Sequence, residues 1–238
     1  MKKIITFIFA AGAVLVLTSC HFTMKRHMGK GEKITVMNKD VPVKSFERIE
    51  MAGGIDVIYH QGDSSTVHVE CPEKLLGKID VRCDGKTLYI SPNSENKLDL
   101  LRVLHDKVKV YATSPDLIGV SIVGSGEFDA EDMLDTDRLN LSIAGSGEVS
   151  INNLICDELK ADVAGSGDIS IDNMSTGKVK FSIAGSGDIK AHLERCGLVE
   201  VEIAGSGDVK LTGHTKDYKQ SVAGSGDIDR EGLVVGAN

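Results

Sequence analysis

The chain has 238 residues and a formal net charge of −8, with 35 Asp and Glu against 27 Lys and Arg. This acid excess disfavours nucleic acid as a partner, because phosphate backbones demand a basic face. Hydrophobic residues reach 41%, enough for a sizeable core, while aromatics are only 4% and tryptophan is absent, which leaves few platforms for sugar stacking.

At the start, Lys2 and Lys3 precede an apolar run from Ile4 to Leu17, interrupted only by Thr6 and Gly12. The run is shorter than the roughly 20 residues of a membrane-spanning helix, so residues 1–19 read as an export signal. Its end, Leu17-Thr18-Ser19-Cys20, resembles a bacterial lipobox. The resemblance implies cleavage before Cys20, diacylation of that thiol and membrane attachment through the lipid. Residues 20–33 then form a basic tether carrying Lys25, Arg26, His27, Lys30 and Lys33, either solvated or lying on anionic headgroups. His21, rather than Asp, follows the cysteine, and by resemblance to lipoprotein sorting rules this leans toward an outer-membrane anchor. Whether the body faces the periplasm or the outside is left open.

Residues 34–116 read as an irregular β-rich half, with strands expected at 46–50, 55–60, 66–71, 79–83, 87–90 and 108–113. Gly62-Asp63 and Asp84-Gly85 mark turns, the second a hairpin. All four prolines lie here, as befits a region outside a continuous ladder. This half is expected to cap the repeats that follow, although Gly53-Gly54 looks like a worn repeat turn and suggests that part of it is coiled too. Residues 91–107 lack β patterning and form a short helix or packed loop, the best place in this half for a partner surface. Cys71 and Cys83 each end a strand and could be neighbours, bonded or simply buried.

Residues 117–238 carry six near-copies of one phrase, Gly-Ser-Gly followed by Glu or Asp. The first glycines are Gly124, Gly145, Gly165, Gly185, Gly205 and Gly224, and the second are Gly126, Gly147, Gly167, Gly187, Gly207 and Gly226. Their spacing of 19 to 21 residues is a solenoid period. Alternating apolar residues flank each phrase, as in Leu139, Leu141, Ile143, then Val149, Ile151, which is the period of a strand. The expected fold is all-β, a right-handed parallel β-helix with ~20-residue coils. One such coil cannot repay the entropy of ordering itself, so neighbours must stack. The glycines give corners that accept positive φ without a Cβ clash. At the far end Leu233-Val234-Val235 is expected to fold over the last coil as a lid; if it does not, an apolar edge is left that could pair with a second copy.

Glu127, Glu148, Asp168, Asp188, Asp208 and Asp227 follow the glycines and should form a column with a spacing of about 4.8 Å. Adjacent charges at that spacing repel by about 1 kcal/mol in water and about 3–4 kcal/mol at an effective dielectric of 20. Exposure with Asx-type capping of turn N–H groups is the expected relief, because one carboxylate per coil offers too few oxygens for calcium. The seven histidines form no close-spaced set with cysteine, and the Gly-Ser-Gly phrases are corners rather than nucleophile elbows. No catalytic residue, metal or cofactor is therefore expected. Cys156 and Cys196 share a coil position with Thr176 between them, two rungs or roughly 9.6 Å apart, too far for a disulfide.

Gly54-Ile55-Asp56-Val57 with Gln61-Gly62-Asp63, the strand Val108-Lys109-Val110-Tyr111, Leu117-Ile118 leading into Val120–Glu127, and the Gly-Ser-Gly-Asp series together resemble the auto-transporter adhesin head GIN domain family of Bacteroidota-type lipoproteins. The resemblance spans roughly residues 45–230. It implies a β-helical body and supplies no catalytic residue. The expected function is a non-enzymatic, membrane-anchored adhesin-like or scaffold lipoprotein of the cell envelope, meeting a surface polymer or protein. The alternative is a periplasmic lipid- or glycan-binding module, with a polysaccharide-acting enzyme behind it.

Overall fold

The structure is a computed structural model that describes residues 36–93 and 108–236. Residues 1–19, the tether with Cys20, and positions 94–107 of the stretch singled out above lie outside the described residues.

The repeats form long strands that bend at corners: β9 (Glu127–Gly145), β10 (Glu148–Gly165), β11 (Asp168–Gly185), β12 (Ile189–Gly205), β13 (Val209–Gly224) and β14 (Ile228–Val235). Each pairs in parallel with the next, in the order β9-β10-β11-β12-β13-β14. The body is a β-solenoid. Equivalent positions face one another directly, so Leu159 meets Val179 and Gly165 meets Gly185.

Each coil has three sides. Before the glycine corner, side one buries Leu159, Ala161 and Val163; after it, side two buries Val149 and Ile151. Side three is short and buries Leu154 and Cys156. Large and small residues alternate along the core where Leu141, Ala161, Phe181 and Val201 stack, which fills the interior without a common residue type. The unequal repeat lengths are absorbed after side two. The β9–β10 register shifts between Ile151 and Asn153, where side two passes into side three, and the β12–β13 register shifts within side three, between Leu193 and Cys196.

The preceding half adds β1 (Val36–Val41), β2 (Arg48–Gly53), β3 (Asp56–Gln61), β4 (Thr66–Pro72), β5 (Ile79–Asp84), β6 (Thr87–Pro92), β7 (Lys109–Ser114) and β8 (Gly119–Gly124), with a 3₁₀ turn at Glu73–Lys78. β2 and β3 make a genuine coil around Gly53, since β2 pairs in parallel with β8 and β3 with β9. The amide of Ser125 donates to Gly53 O at 2.9 Å, the same bond that Ser146 makes to Gly124 O at 2.8 Å. β6 and β7 extend this end by one parallel rung. Antiparallel pairing then takes over, β5 on β6, β4 on β7 and β1 on β4. Strands on both sides of residues 116–117 belong to one sheet, and the described residues form one compact unit.

The hairpin at Asp84-Gly85 is present, with Gly85 at φ 61°. Gly62-Asp63 also turns the chain, but β3 and β4 do not pair because β7 lies between them. Cys71 and Cys83 are both free. The lid expected from Leu233-Val234-Val235 is not formed. These residues continue β14 as the third side of one more rung, facing Gly213, His214 and Thr215. The amide of Asp227 is held by the rung below, at 2.9 Å from Asp208 Oδ1, so the chain leaves the corner in register and does not cross the end. Tyr218, Gln220 and Val222 therefore occupy core positions, above Val199, Val201 and Ile203, with no rung over them among the described residues. The Arg230 guanidinium, 5.2 Å from the Tyr218 ring centroid, partly shields the first.

The first glycines of the corners need both conformation and space. Gly185 has φ 143°, and a Cβ there would lie 2.1 Å from Gly165 O. The second glycines need space alone: a Cβ on Gly187 would lie 2.0 Å from Gly167 O and 2.9 Å from a Val163 methyl. We expect Gly185→Ala to cost about 3 kcal/mol or more in urea unfolding. Gly85→Ala, where nothing lies within 4 Å of the added carbon, should cost only about 1–2 kcal/mol. Equal losses would remove rung contact as the reason for the glycines.

Candidate interaction surface

The outward positions form columns, one residue per rung, and these columns are the candidate functional surface. On side one, lysines and carboxylates interlock between rungs. Lys178 Nζ reaches Glu200 at 3.1 Å, Lys219 reaches the same carboxylate at 3.3 Å, and Lys180 reaches Glu202 at 2.8 Å. The two lysines hold the Glu200 carboxyl below its usual range. Exposed pairs of this kind add little stability one by one, but they set a flat, mixed-charge face.

At the glycine corner the carboxylate column stands where the repeat places it. Its relief differs from the Asx-type cap. Asp168 Oδ1 accepts the backbone N–H of Asp188 at 2.9 Å, Asp188 Oδ1 that of Asp208 at 3.1 Å, and Asp208 Oδ1 that of Asp227 at 2.9 Å. Each aspartate thus satisfies the next rung rather than its own turn. In the earlier rungs backbone oxygens serve instead, with Glu148 N donating to Gly126 O at 3.1 Å and Asp168 N to Gly147 O at 3.0 Å. Side two is most crowded with negative charge near its start. Burial, and next the Glu127 charge, raise the carboxyls of Asp56 and Asp129, with Lys109 opposing.

Behind side three runs a buried column that the sequence reading identified only in part: Thr136, Cys156, Thr176, Cys196 and Thr215. Cys156 and Cys196 are free, as their spacing requires. The hydroxyls turn to local carbonyls, Thr176 donating to Lys178 O at 3.1 Å and Thr215 to Asp217 O at 3.0 Å. The period alone would have disclosed the two outer threonines. Burial pushes the Cys196 thiol up to about 11. Under the first coil, burial likewise pushes Tyr59 up to about 12 despite its hydrogen bond to Ser114. Cys20, where lipidation is expected from the sequence, lies outside the described residues, as does most of the 91–107 stretch. Among the described residues no group of three or more His, Cys, Asp or Glu is placed to hold a metal ion.

A family model described as "putative auto-transporter adhesin, head GIN domain" matches residues 45–233. The chain belongs to this family. Solved structures share the fold. A "putative adhesin" from Bacteroides fragilis is 23% identical with a TM-score of 0.66, the alignment covering 82% of this chain and 97% of that one. A "putative adhesin" from Parabacteroides merdae is 19% identical with a TM-score of 0.65, covering 82% and 95%. A "putative lipid binding protein" from Parabacteroides distasonis is 24% identical with a TM-score of 0.58, covering 82% and 96%. No curated protein matches the chain.

Two outcomes follow for this head GIN domain. Asp188→Ala should cost about 1 kcal/mol in urea unfolding, because it strips the Asp208 amide of its acceptor, whereas Glu148→Ala should stay within about 0.5 kcal/mol. The raised Cys196 and Tyr59 groups keep their protons longer in the folded state than in the unfolded one. Stability is therefore full below the unfolded pKa values, ~9 and ~10, and falls as pH climbs toward about 11 and about 12. Melting temperatures between pH 8 and 12 check the sign; a rise with pH would refute it.

Proposed function

We propose that this head GIN domain protein is a non-enzymatic, lipid-anchored lipoprotein of the cell envelope, adhesin-like in its use of long polar faces to hold a surface polymer or protein. The observation that carries the reading is the repetition of outward columns at one rung spacing. Such a face offers a polar contact position in every coil, so many weak contacts add along an extended partner. Side one, with its interlocked Lys178, Lys180, Glu200 and Glu202, is suited to this because the charges are mixed and the partner need not be strongly charged. The lipid anchor at Cys20 rests on the lipobox-like sequence. The open final rung at Tyr218, Gln220 and Val222 is where a second copy would add.

The test is protease treatment of intact and lysed cells, following an epitope placed after Asn238. Loss of the epitope in intact cells is the expected result. Protection until lysis would confine the body to the periplasm, sink adhesion to other surfaces and leave the binding-module reading in front.

A further inference from the structure

The corner between sides three and one is graded in charge along the solenoid. Each residue of the buried Thr/Cys column points inward, so the residues on either side of it point out. In successive rungs these flanking pairs are Asp135 and Asp137, Ile155 and Asp157, Ser175 and Gly177, Arg195 and Gly197, and His214 and Lys216. The edge begins acidic, passes through neutral residues, turns basic at Arg195, His214 and Lys216, and closes on Val234 and Gly236 of the last rung.

At the basic stretch there is a groove of about 330 Å³. Gly177, Gly197 and Gly236 form part of its lining, and Arg195, His214 and Lys216 stand around them. Two of these glycines are required by rung contact, since a Cβ on Gly197 would lie 2.2 Å from Gly177 O and one on Gly177 would lie 2.9 Å from Asp157 O. The same requirement removes the side chains that would otherwise fill the groove.

Two cations are available, Arg195 and Lys216. Their side chains and that of His214 are exposed and make no hydrogen bond or ion pair among the described residues, whereas Lys178, Lys180 and Lys210 all reach carboxylates within 3.1 Å. In a chain with more acids than bases, two cations around one concave place whose lining holds no carboxylate are a local excess of positive charge. Cys196 and Thr215 in the groove wall are already committed, donating to Leu198 O and Asp217 O, so recognition falls to the charged side chains.

We propose that this groove binds a phosphate group. A planar guanidinium and an ammonium lining one groove suit a compact, multiply charged oxyanion better than a single carboxylate, and the acidic far end of the edge repels the same ligand. The phosphate is free or is esterified in a headgroup. The site stands apart from the polar faces invoked for adhesion, and neither proposal depends on the other.

The experiment is titration calorimetry on the full chain in detergent at low ionic strength, with inorganic phosphate and glycerol 3-phosphate as probes. Saturable binding of at least one probe is expected, weakened tenfold or more by Arg195→Gln with Lys216→Gln. Retention in Arg195→Lys with Lys216→Arg, and in Lys160→Gln with Lys190→Gln on the other sides, shows that the loss is local. Tighter binding of the ester assigns the site to phosphorylated headgroups; tighter binding of the ion assigns it to free phosphate. Absence of saturable binding by either probe, wild-type affinity in the Gln double variant, or equal loss in the Lys160 and Lys190 control overturns the proposal. Unchanged melting of the Gln variant, whose two altered side chains are exposed, separates loss of binding from loss of fold.

Discussion

The close approach of successive backbones at the Gly-Ser-Gly corner governs the rest of the structure. From Gly53 to Gly205 a glycine carbonyl accepts the serine amide of the next rung at 2.8–2.9 Å. A Cβ on the next glycine would stand between 2.1 and 2.5 Å from that same carbonyl oxygen. No side chain fits in that space, so the corner is glycine in every rung and the rung spacing is the spacing of a β-ladder. Once the corner is pinned, the strands on either side fall into register and the apolar columns close into one core. Length variation is pushed away from that corner, to the register shifts between Ile151 and Asn153 at the end of side two and between Leu193 and Cys196 within side three.

The two ends of the solenoid are handled differently. At the start, the ladder is carried past the first coil by β6 and β7 and then turned antiparallel by β5, β4 and β1. Antiparallel pairing suits an end because a hairpin needs only a short connection, whereas another parallel rung needs a whole coil. At the finish, β14 adds two sides of a rung, and Tyr218, Gln220 and Val222 hold core positions with no strand stacked above them among the described residues, the Arg230 guanidinium alone lying over Tyr218. An unpaired edge of this kind invites further pairing.

Function on such a body is a matter of columns. The interlocked charges of side one, the carboxylates of the glycine corner and the graded edge beside the Thr/Cys column are each one to three residues wide and several rungs long. Much of this was legible in the residues. The corner glycines, the carboxylate column, the inward positions of sides one and two and the free state of Cys156 and Cys196 all follow from a period near twenty and a strand alternation of two. The partners of those residues were harder to read. Whether an aspartate caps its own turn or the next rung depends on a few tenths of an ångström, and nothing in the period distinguishes Asp168, which reaches the rung above, from Glu148, for which the Asp168 amide finds Gly147 O instead.

The sequence by itself determined the parallel β-solenoid, its six corners and the family, because a repeated backbone requirement leaves a repeated residue. It also placed most strands of the first half, where alternation and turn residues are local signals. Only the tertiary structure decided how that half is wired. That Gly53 is a full corner, that β7 enters between β3 and β4, and that Leu233-Val234-Val235 joins the ladder instead of closing over it are choices between distant partners. A strand's own residues state which face is apolar but not which strand will supply its hydrogen bonds. The phosphate groove has the same origin: Arg195, His214 and Lys216 are ordinary surface residues in the chain, and only the stacking of two rungs over bare glycines sets them around one concave place.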